Sequence, residues 1–506
     1  REALARDSSR PAISCEYGHA MGSSFGNQER YIRLAEEAPA YQGGFIWDYI
    51  DQALVREDRY GGTWLGYGGD FDDRPHDGNF SGNGLVDSLN RAPTPKCQEV
   101  KYLYQNLAVR IGEGRAEITN RYLFTGSGRF ACTVRLCREG ALLAERPMDT
   151  DVPPGESRSY PLPLWPERLD GEYTVTVSFR LRRDESWAKK GHEVAFGQWR
   201  GGRRAPAAHP DRTPQVVDGA ANLGVRGEDF EILFSKQGGG MTSYRYGGRE
   251  LLKSVPMPNF WRAPTDNDRG SLGPARYGQW KLASLYLSTG RLPFEGGGER
   301  PWEIRYGSSW VEMAYVYRLP TQPQGTCSAR YRVFADGAVE VTLHTGAAGA
   351  LGPAPEFGLM WKMDADFHRL RWYGLGPEAT YCDRQAGGRL GIWEDEAGHM
   401  PPYLRPQECG AHTGVRWAAV TDEAGVGLLL EGEDMTFSAL PYTPHELECA
   451  AHPHELPPVH YTVVRAAMKQ MGLAGDDSWG ARPAPEHLLP EGEMTFRFWM
   501  RGTGGK

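Results

Sequence analysis

A glutamate at the end of a short apolar run is the first side chain whose setting suits chemistry. Residues 12–15 are small or apolar and lead to Glu16, which Gly18 and His19 follow. A carboxylate at a strand end can be aimed into a cleft as a nucleophile or base. Taken alone, such a glutamate is more often a surface residue in an ion pair. Its position in the fold must therefore decide between these interpretations.

Three further segments combine aromatic and polar side chains. Residues 42–52 place Trp47 at a strand end, residues 80–85 include Phe80 and Asn83, and residues 475–479 end in Trp479. An indole face can stack on the apolar face of a sugar ring. Each segment also has a plainer interpretation: a core tryptophan, an ordinary turn-rich loop and a surface turn.

The elements around Glu16 predict a βαβ unit. A strand over residues 12–15 precedes a helix capped by Asn27, and a second strand over residues 44–47 follows. The apolar helix positions fall at i, i+3, i+4 and i+7, and Pro39 ends the helix. Active sites of (β/α)₈ barrels lie at the carboxyl ends of the strands. A barrel needs about 250 residues, so residues 1–105 are expected to be its C-terminal portion.

The rest of the chain predicts antiparallel β structure. Residues 173–181 alternate apolar and polar side chains strictly, which indicates a half-buried strand. Residues 106–213 are expected to form one sandwich, with a linker over residues 201–210. Asp336-Gly337 predicts a hairpin within a large β domain over residues 214–506.

Composition excludes several classes of protein. Lys and Arg total 57 against 65 Asp and Glu, without a basic block, so no nucleic-acid partner is expected. No apolar stretch reaches the roughly 18 residues of a membrane-spanning helix. The eight cysteines form no CxxC pair and are too sparse for a disulfide scaffold, which favours a reduced, cytoplasmic protein.

The segments together resemble the family 2 glycoside hydrolases, specifically the large bacterial β-galactosidases. Cys-Glu-Tyr-Gly-His-Ala-Met-Gly at 15–22 resembles the family's nucleophile motif, and residues 42–52 resemble the end of its last barrel strand. Blocks of the family's C-terminal domain resemble residues 262–268, 372–378 and 475–479, in the same order. The resemblance spans nearly the whole chain.

The resemblance implies a retaining hydrolase of β-galactosides. Glu16 matches the nucleophile, and His19, Trp47, Asn83 and Trp479 match residues that bind galactose. The Phe80 carbonyl and Asn83 match ligands of a sodium ion. The implied folds are the end of a TIM barrel, an Ig-like β-sandwich and a galactose-mutarotase-like antiparallel supersandwich. The family's relatives are commonly tetramers.

The sequence departs from the family at the proton donor. The family's acid/base glutamate directly follows an asparagine, and none of the nine asparagines here precedes a glutamate. The family's Mg²⁺ ligands and the aspartate of its Na⁺ site are also unmatched. We therefore expect a fragment that is inactive alone, whose residues 1–105 fold poorly by themselves because unpaired strand edges remain.

Two other interpretations stay open. A β-glucuronidase of the same family would need a cationic pocket for a carboxylate, and residues 475–479 argue against it. A sugar-binding or complementing subunit without catalytic activity would instead pair tightly with an N-terminal partner.

Overall fold

The computed structural model describes residues 9–205, 209–289, 301–346 and 351–504. Near its start, strands β1 (Ala12–Tyr17) and β2 (Tyr41–Ile46) are parallel and are joined by helix α1 (Glu29–Glu37). The predicted βαβ unit is therefore present. Asn27 is not the helix cap: its φ is 61° and its side-chain oxygen accepts a hydrogen bond from His487 Nε2 at 2.7 Å. The residue before the helix, Gln28, makes no side-chain capping bond.

The two strands β1 and β2 expose apolar side chains to solvent, although an apolar run before Glu16 is typical of a buried strand. Ile13 on β1 is 60% exposed and Phe45 on β2 is 67% exposed. These strands form a two-stranded sheet with no further neighbour among the described residues. Their apolar side chains thus present a face that nothing in the described chain covers.

The remaining N-terminal elements are short. Strands β3 (Leu54–Glu57) and β4 (Thr63–Gly66) form an antiparallel hairpin. A single 3₁₀ turn covers Gly78–Ser81, and helix α2 spans Lys96–Leu103.

Two antiparallel sheets follow and share one apolar core. The three-stranded sheet has the order β5-β6-β9 and the four-stranded sheet the order β11-β10-β7-β8. Their strands are β5 (Leu107–Gly112), β6 (Arg115–Asn120), β7 (Phe130–Arg138), β8 (Ala141–Pro147), β9 (Ser157–Pro161), β10 (Tyr173–Leu181) and β11 (Glu193–Gly201).

Strand β10 is buried on both faces, so the expectation of a half-buried strand was wrong. Val175 and Val177 pack into the core between the sheets. The polar face, with Thr174 and Ser178, is also buried. The alternation of apolar and polar residues shows which face of the strand is apolar. It does not show that another domain covers the polar face. Gln198 on β11 shows this contact, since its Nε2 donates to the Leu390 carbonyl at 3.0 Å.

The large C-terminal domain contains a five-stranded sheet, ordered β12 to β16, and a twelve-stranded antiparallel sheet. The first sheet comprises β12 (Gln215–Asp218), β13 (Asn222–Arg226), β14 (Phe230–Ser235), β15 (Gly240–Tyr246) and β16 (Arg249–Glu250). The second comprises β17 (Met257–Asn259), β18 (Trp302–Tyr306), β19 (Trp310–Arg318), β20 (Thr326–Phe334), β21 (Val339–Thr345), β22 (Glu356–Asp364), β23 (Arg369–Gly376), β24 (Arg389–Glu396), β25 (Ala411–Thr421), β26 (Gly427–Leu440), β27 (Tyr461–Gln470) and β28 (Met494–Thr503).

One large apolar cluster unites these sheets. The Asp336-Gly337 hairpin is confirmed: β20 and β21 pair antiparallel, and Gly337 has the left-handed φ of 83° that favours glycine. The domain's short helices are α3 (Asp266–Gly270), α4 (Gly273–Arg276), α5 (Gly278–Tyr286) and α6 (Pro444–Cys449).

The residues expected to form a linker contact the large domain. Arg204 Nη2 forms an ion pair with Glu431 at 2.6 Å, and the His209 ring stacks on Phe334 and Trp499. Residues 206–208 lie outside the described residues. All eight cysteines are free thiols. In the described part of the chain, no helix combines the length and hydropathy needed to cross a membrane.

Candidate functional site

Glu16 is the penultimate residue of β1 and is exposed. Hydrogen bonds join the backbone segments that follow the two parallel strands. Trp47 N–H donates to the Tyr17 carbonyl at 3.1 Å, and Ala20 N–H donates to the Trp47 carbonyl at 2.7 Å. Trp47, 40% exposed, therefore follows β2 at the same carboxyl edge of the sheet near which Glu16 lies in β1. This is the edge at which parallel strands carry functional groups.

The His19 ring is buried and held from the far end of the chain. Its Nδ1 lies 2.7 Å from Ser478 Oγ, and that hydroxyl donates to Asn267 Oδ1 at 2.7 Å. Asn267 Nδ2 in turn donates to the Leu473 carbonyl at 3.0 Å, which fixes the orientation of the amide. Because the serine hydrogen is already used, Nδ1–H of His19 must be the donor. In the neutral ring, Nε2 is then an acceptor.

The neutral form of His19 is also the one that burial favours. Burial lowers the pKa of His19, and the nearby charges of Glu16 and Asp477 only partly oppose this effect. The ring therefore lies within electrostatic reach of Glu16 and stays uncharged near neutral pH.

Two aromatic rings flank His19, one from each end of the chain. The His19 and Phe80 ring centroids lie 5.2 Å apart, and the Trp479 ring meets His19 edge-on at 5.4 Å. Trp479 remains 58% exposed. Its turn is fixed by Asp477 Oδ1, which accepts the backbone N–H groups of residues 479, 480 and 481 at 3.0, 2.8 and 2.7 Å. An exposed indole on a rigid turn suits stacking on a ligand.

Asn83 offers a buried oxygen with no partner. Its Nδ2 donates to the Phe80 carbonyl at 2.9 Å, while its Oδ1 has no hydrogen-bond partner. The Asn83 carbonyl accepts Asp48 N–H at 2.7 Å, which joins this loop to the residue after Trp47. A buried unsatisfied oxygen is costly. Together with the neighbouring carbonyl, it matches the hard oxygen donors that alkali and alkaline-earth cations prefer.

Lys96, which the sequence did not single out, supports the loop after His19. It is buried on α2, and its Nζ donates to the carbonyls of Ala20 at 2.5 Å and Gly22 at 2.8 Å. Burial lowers the pKa of Lys96 to about 8 and raises the pKa of nearby Asp51 to about 6. The glycine-containing loop thus rests on a buried cation.

Gln407 and Asp266 join the same loop to the large domain. Gln407 Oε1 accepts Ser23 N–H at 3.0 Å, and Gln407 Nε2 donates to Asp266 Oδ2 at 2.7 Å. Asp266 Oδ1 accepts Asn79 Nδ2 at 2.9 Å, which ties in the turn that carries Phe80. Sequence reasoning missed these supporting residues. Asp266 and Asn267 lie in the block 262–268, and Ser478 lies in the block 475–479, so the signal was present without its geometry.

Two further carboxylates near His19 are held in place by hydrogen bonds. Besides Glu16, Asp477 and Asp266 act on the His19 pKa. Asp477 accepts three backbone N–H groups, and Asp266 accepts the amides of Asn79 and Gln407. Both carboxylates therefore act as hydrogen-bond acceptors in fixed networks.

Family models match three consecutive stretches of the chain. Residues 2–109 match the glycosyl hydrolases family 2 TIM barrel domain, residues 116–201 match β-galactosidase domain 4, and residues 226–500 match the β-galactosidase small chain.

Curated relatives match almost all of the chain. A β-galactosidase from Halalkalibacterium halodurans is 41% identical over 496 residues, covering 96% of this chain and 48% of the relative. One from Lactobacillus delbrueckii subsp. bulgaricus is 40% identical over 493 residues, covering 96% and 47%. The chain thus spans about half the length of the curated relatives it matches. Among solved structures, a galactose 1-epimerase from Lactobacillus acidophilus is 8% identical, with a TM-score of 0.28, over 56% of this chain and 95% of its own.

Proposed function

The chain belongs to the β-galactosidases of glycoside hydrolase family 2, and on this premise we propose that it carries the nucleophile half of a retaining β-galactosidase site, with Glu16 as the nucleophile. The observation that carries the proposal is that two groups meet at the carboxyl edge of β1. Glu16 is the penultimate residue of that strand, and the buried imidazole of His19, held by Ser478, lies within its electrostatic reach. The substrates are compounds with a terminal β-D-galactose, of the lactose type.

The reaction proceeds by double displacement. The Glu16 carboxylate forms a bond to the anomeric carbon as the bond to the leaving oxygen breaks, and that oxygen takes a proton from a general acid. Water then attacks the anomeric carbon, gives a proton to the conjugate base of that acid and frees Glu16. Retention of configuration follows from the two successive displacements.

The neighbouring side chains bind the sugar. His19 Nε2 is an acceptor for a galactose hydroxyl, because Nδ1–H is committed to Ser478. Trp47 and Trp479 are both exposed and supply apolar faces for the ring. Glu16 is accessible to substrate for the same reason: it is exposed at the strand end.

The general acid comes from a segment outside this sequence. Asp477 and Asp266, the two other carboxylates that act on the His19 pKa, are held as hydrogen-bond acceptors. The uncovered apolar face of β1 and β2, with Ile13 60% and Phe45 67% exposed, supports docking of further barrel strands there. Without a general acid, hydrolysis is slower by about 10²–10⁴-fold, so the chain alone is inactive.

The Phe80 carbonyl and Asn83 Oδ1 would hold a sodium ion. The unpartnered buried oxygen of Asn83 supports this assignment. When bound, the ion would supply a positive charge to which a sugar hydroxyl oxygen can coordinate. Asn83 Nδ2 keeps the Phe80 carbonyl in place through its hydrogen bond. A magnesium ion, if the complete site uses one, takes its ligands from the segment that supplies the acid.

The proposal extends to the domains of the chain and to the complete protein. The large domain is the family's antiparallel supersandwich, supported by its twelve- and five-stranded sheets around one core, and residues 106–213 are an Ig-like sandwich. The complete protein is a homotetramer of the cytoplasm, where the eight free thiols stay reduced.

Hydrolysis of nitrophenyl β-galactoside tests the proposal. The chain is assayed alone and mixed with the part of the Halalkalibacterium halodurans relative that its match to this chain does not cover. We expect activity only in the mixture, loss of that activity in Glu16→Gln, and full activity in Glu29→Gln, which alters a carboxylate on α1. Activity of the chain alone would overturn the missing-acid argument. A folded, inactive mixture would instead favour a sugar-binding subunit.

A further inference from the structure

A second cluster of polar side chains lies away from Glu16, just after α6. One ligand atom each from His452, His454 and Glu455 lies within 4.8 Å of the other two. His452 is buried, whereas His454 and Glu455 are exposed and can be reached from solvent. Two imidazoles and one carboxylate within four consecutive residues form the His₂Glu set found at zinc sites with an open position.

The buried His452 ring is oriented as a metal ligand would be. Its Nε2 lies 2.9 Å from Asp70 Oδ2, and its Nδ1 lies 3.1 Å from Glu455 Oε1. The Tyr67 ring stacks on it at 4.5 Å, and the Trp64 ring packs edge-on at 4.7 Å. Metal-bound histidines almost always donate the second ring N–H to a carboxylate or carbonyl. Asp70 fills that role, and Nδ1 is the nitrogen that faces the cluster.

The Glu455 carboxylate is also oriented by a hydrogen bond. Its Oε2 accepts Ala451 N–H at 2.7 Å, which leaves Oε1 facing His452 Nδ1. Bonds of about 2.0–2.1 Å from a tetrahedral ion place neighbouring ligand atoms about 3.3 Å apart. The observed 3.1 Å between His452 Nδ1 and Glu455 Oε1 is close to this distance between two ligand atoms. His454 is an exposed side chain that can turn to complete the third position.

We propose that His452, His454 and Glu455 form a binding site for a divalent transition metal ion, best matched by Zn²⁺, with water in the fourth position. Nitrogen and oxygen donors of this kind select Zn²⁺ over Mg²⁺ or Ca²⁺, which take oxygen ligands. The ion links the N-terminal hairpin to the large domain, because Asp70 and Trp64 come from the first part of the chain and the three ligands from the last. This inference does not depend on the proposed hydrolase activity.

The test uses the full chain after treatment with a chelator, titrated with Zn²⁺ by calorimetry and with Co²⁺ by visible absorption. We expect one tight site, weakened by more than about tenfold in His454→Ala and Glu455→Gln, and by about 10–100-fold in Asp70→Asn through the outer hydrogen bond. His399→Ala removes an exposed imidazole that is paired with Asp395 elsewhere, and should leave the affinity unchanged.

Two results would overturn the proposal. Equal Zn²⁺ affinity in the wild type and in His454→Ala would show that the cluster is an ion-paired group that binds no metal. Loss of binding in Cys449→Ser, accompanied by a thiolate charge-transfer band of Co²⁺, would show that the exposed thiol on α6 holds the ion instead.

Discussion

His19 Nδ1 and Ser478 Oγ are hydrogen-bonded at 2.7 Å although 459 residues separate them in the chain. The loop after β1 and the turn that presents Trp479 are thereby fixed to each other. The serine passes its own hydrogen to Asn267, so the protonation of the imidazole is set by the large domain. The C-terminal domain thus contributes to the candidate site in two ways: Ser478 orients the His19 ring, and Trp479 supplies an aromatic surface.

Ser478→Ala should impair sugar binding with little loss of fold. His19 then loses the acceptor for its Nδ1–H, and kcat/KM of the complemented enzyme should fall by about tenfold, equivalent to about 1.4 kcal/mol. Ser478→Thr should restore most of the activity because it keeps the hydroxyl. Ser186→Ala, at an exposed position, is the control. Equal kinetics of Ser478→Ala and Ser186→Ala would show that the hydrogen bond does not position His19 for the substrate.

Asn83→Ala should raise the sodium concentration needed for half-maximal activity. The variant removes the buried unpartnered Oδ1 and frees the Phe80 carbonyl. Loss of one ligand is expected to weaken sodium by about tenfold. Activity is measured against NaCl, with KCl holding the ionic strength constant, and Asn90→Ala, exposed in the following loop, is the control. An unchanged sodium dependence would remove Asn83 from the metal site.

Arg465→Met should destabilise the large domain by about 3–5 kcal/mol. Arg465 on β27 pairs with Glu356 at 2.8 Å and Glu408 at 2.6 Å, and all three side chains are buried. The substitution leaves two buried carboxylates without their cation. Arg497→Met, at an exposed position of β28 whose pair to Glu340 is 3.7 Å long, should change stability by less than about 1 kcal/mol. Urea unfolding of the full chain measures both, and similar midpoints would contradict the account.

Glu99→Gln should remove a pH dependence of stability. Burial raises the pKa of Glu99 on α2 to about 7, although backbone N–H groups of residues 386 and 387 oppose the shift. Between the ordinary pKa of 4.5 and about 7, the folded state holds a proton that the unfolded state has lost. Stability of the wild type therefore falls as pH rises through this window.

The difference in stability between the wild type and Glu99→Gln reports the titration of Glu99 alone. The stability of wild type minus that of Glu99→Gln should decrease by up to about 3 kcal/mol from pH 4.5 to 7. Urea midpoints at intervals across this range measure it. A difference that does not vary with pH would mean that Glu99 titrates normally.

Local patterns in the sequence predicted the local structure well. The βαβ unit around Glu16 and the Asp336-Gly337 hairpin are both present, because apolar periodicity and turn chemistry act over a few residues. The Asn27 cap was wrong because tertiary contact with His487 and Asp383 sets that backbone. The prediction that β10 is exposed on its polar face failed for a similar reason, because the alternation of residues in a strand does not show which faces another domain covers.

The candidate site was predictable residue by residue only through resemblance. Glu16, His19 and Trp479 lie in dense motifs, and the structure brings His19, Phe80 and Trp479 together. No local rule marks Lys96 or Gln407, because each acts through contacts with residues far away in sequence. A lysine in a helix is ordinarily read as a solvent-exposed residue, and only its burial beneath the loop identifies its role.

Covalent labelling tests the identity of the nucleophile most directly. A 2-deoxy-2-fluoro-β-galactoside with a good leaving group is incubated with the chain in complex with the N-terminal segment, and the labelled peptide is located by mass spectrometry. Because fluorine slows the second displacement, the galactosyl-enzyme should accumulate. The account predicts one label, on Glu16, that is absent in Glu16→Gln. A label on any other carboxylate, or turnover by Glu16→Gln at the unaltered rate, would contradict it.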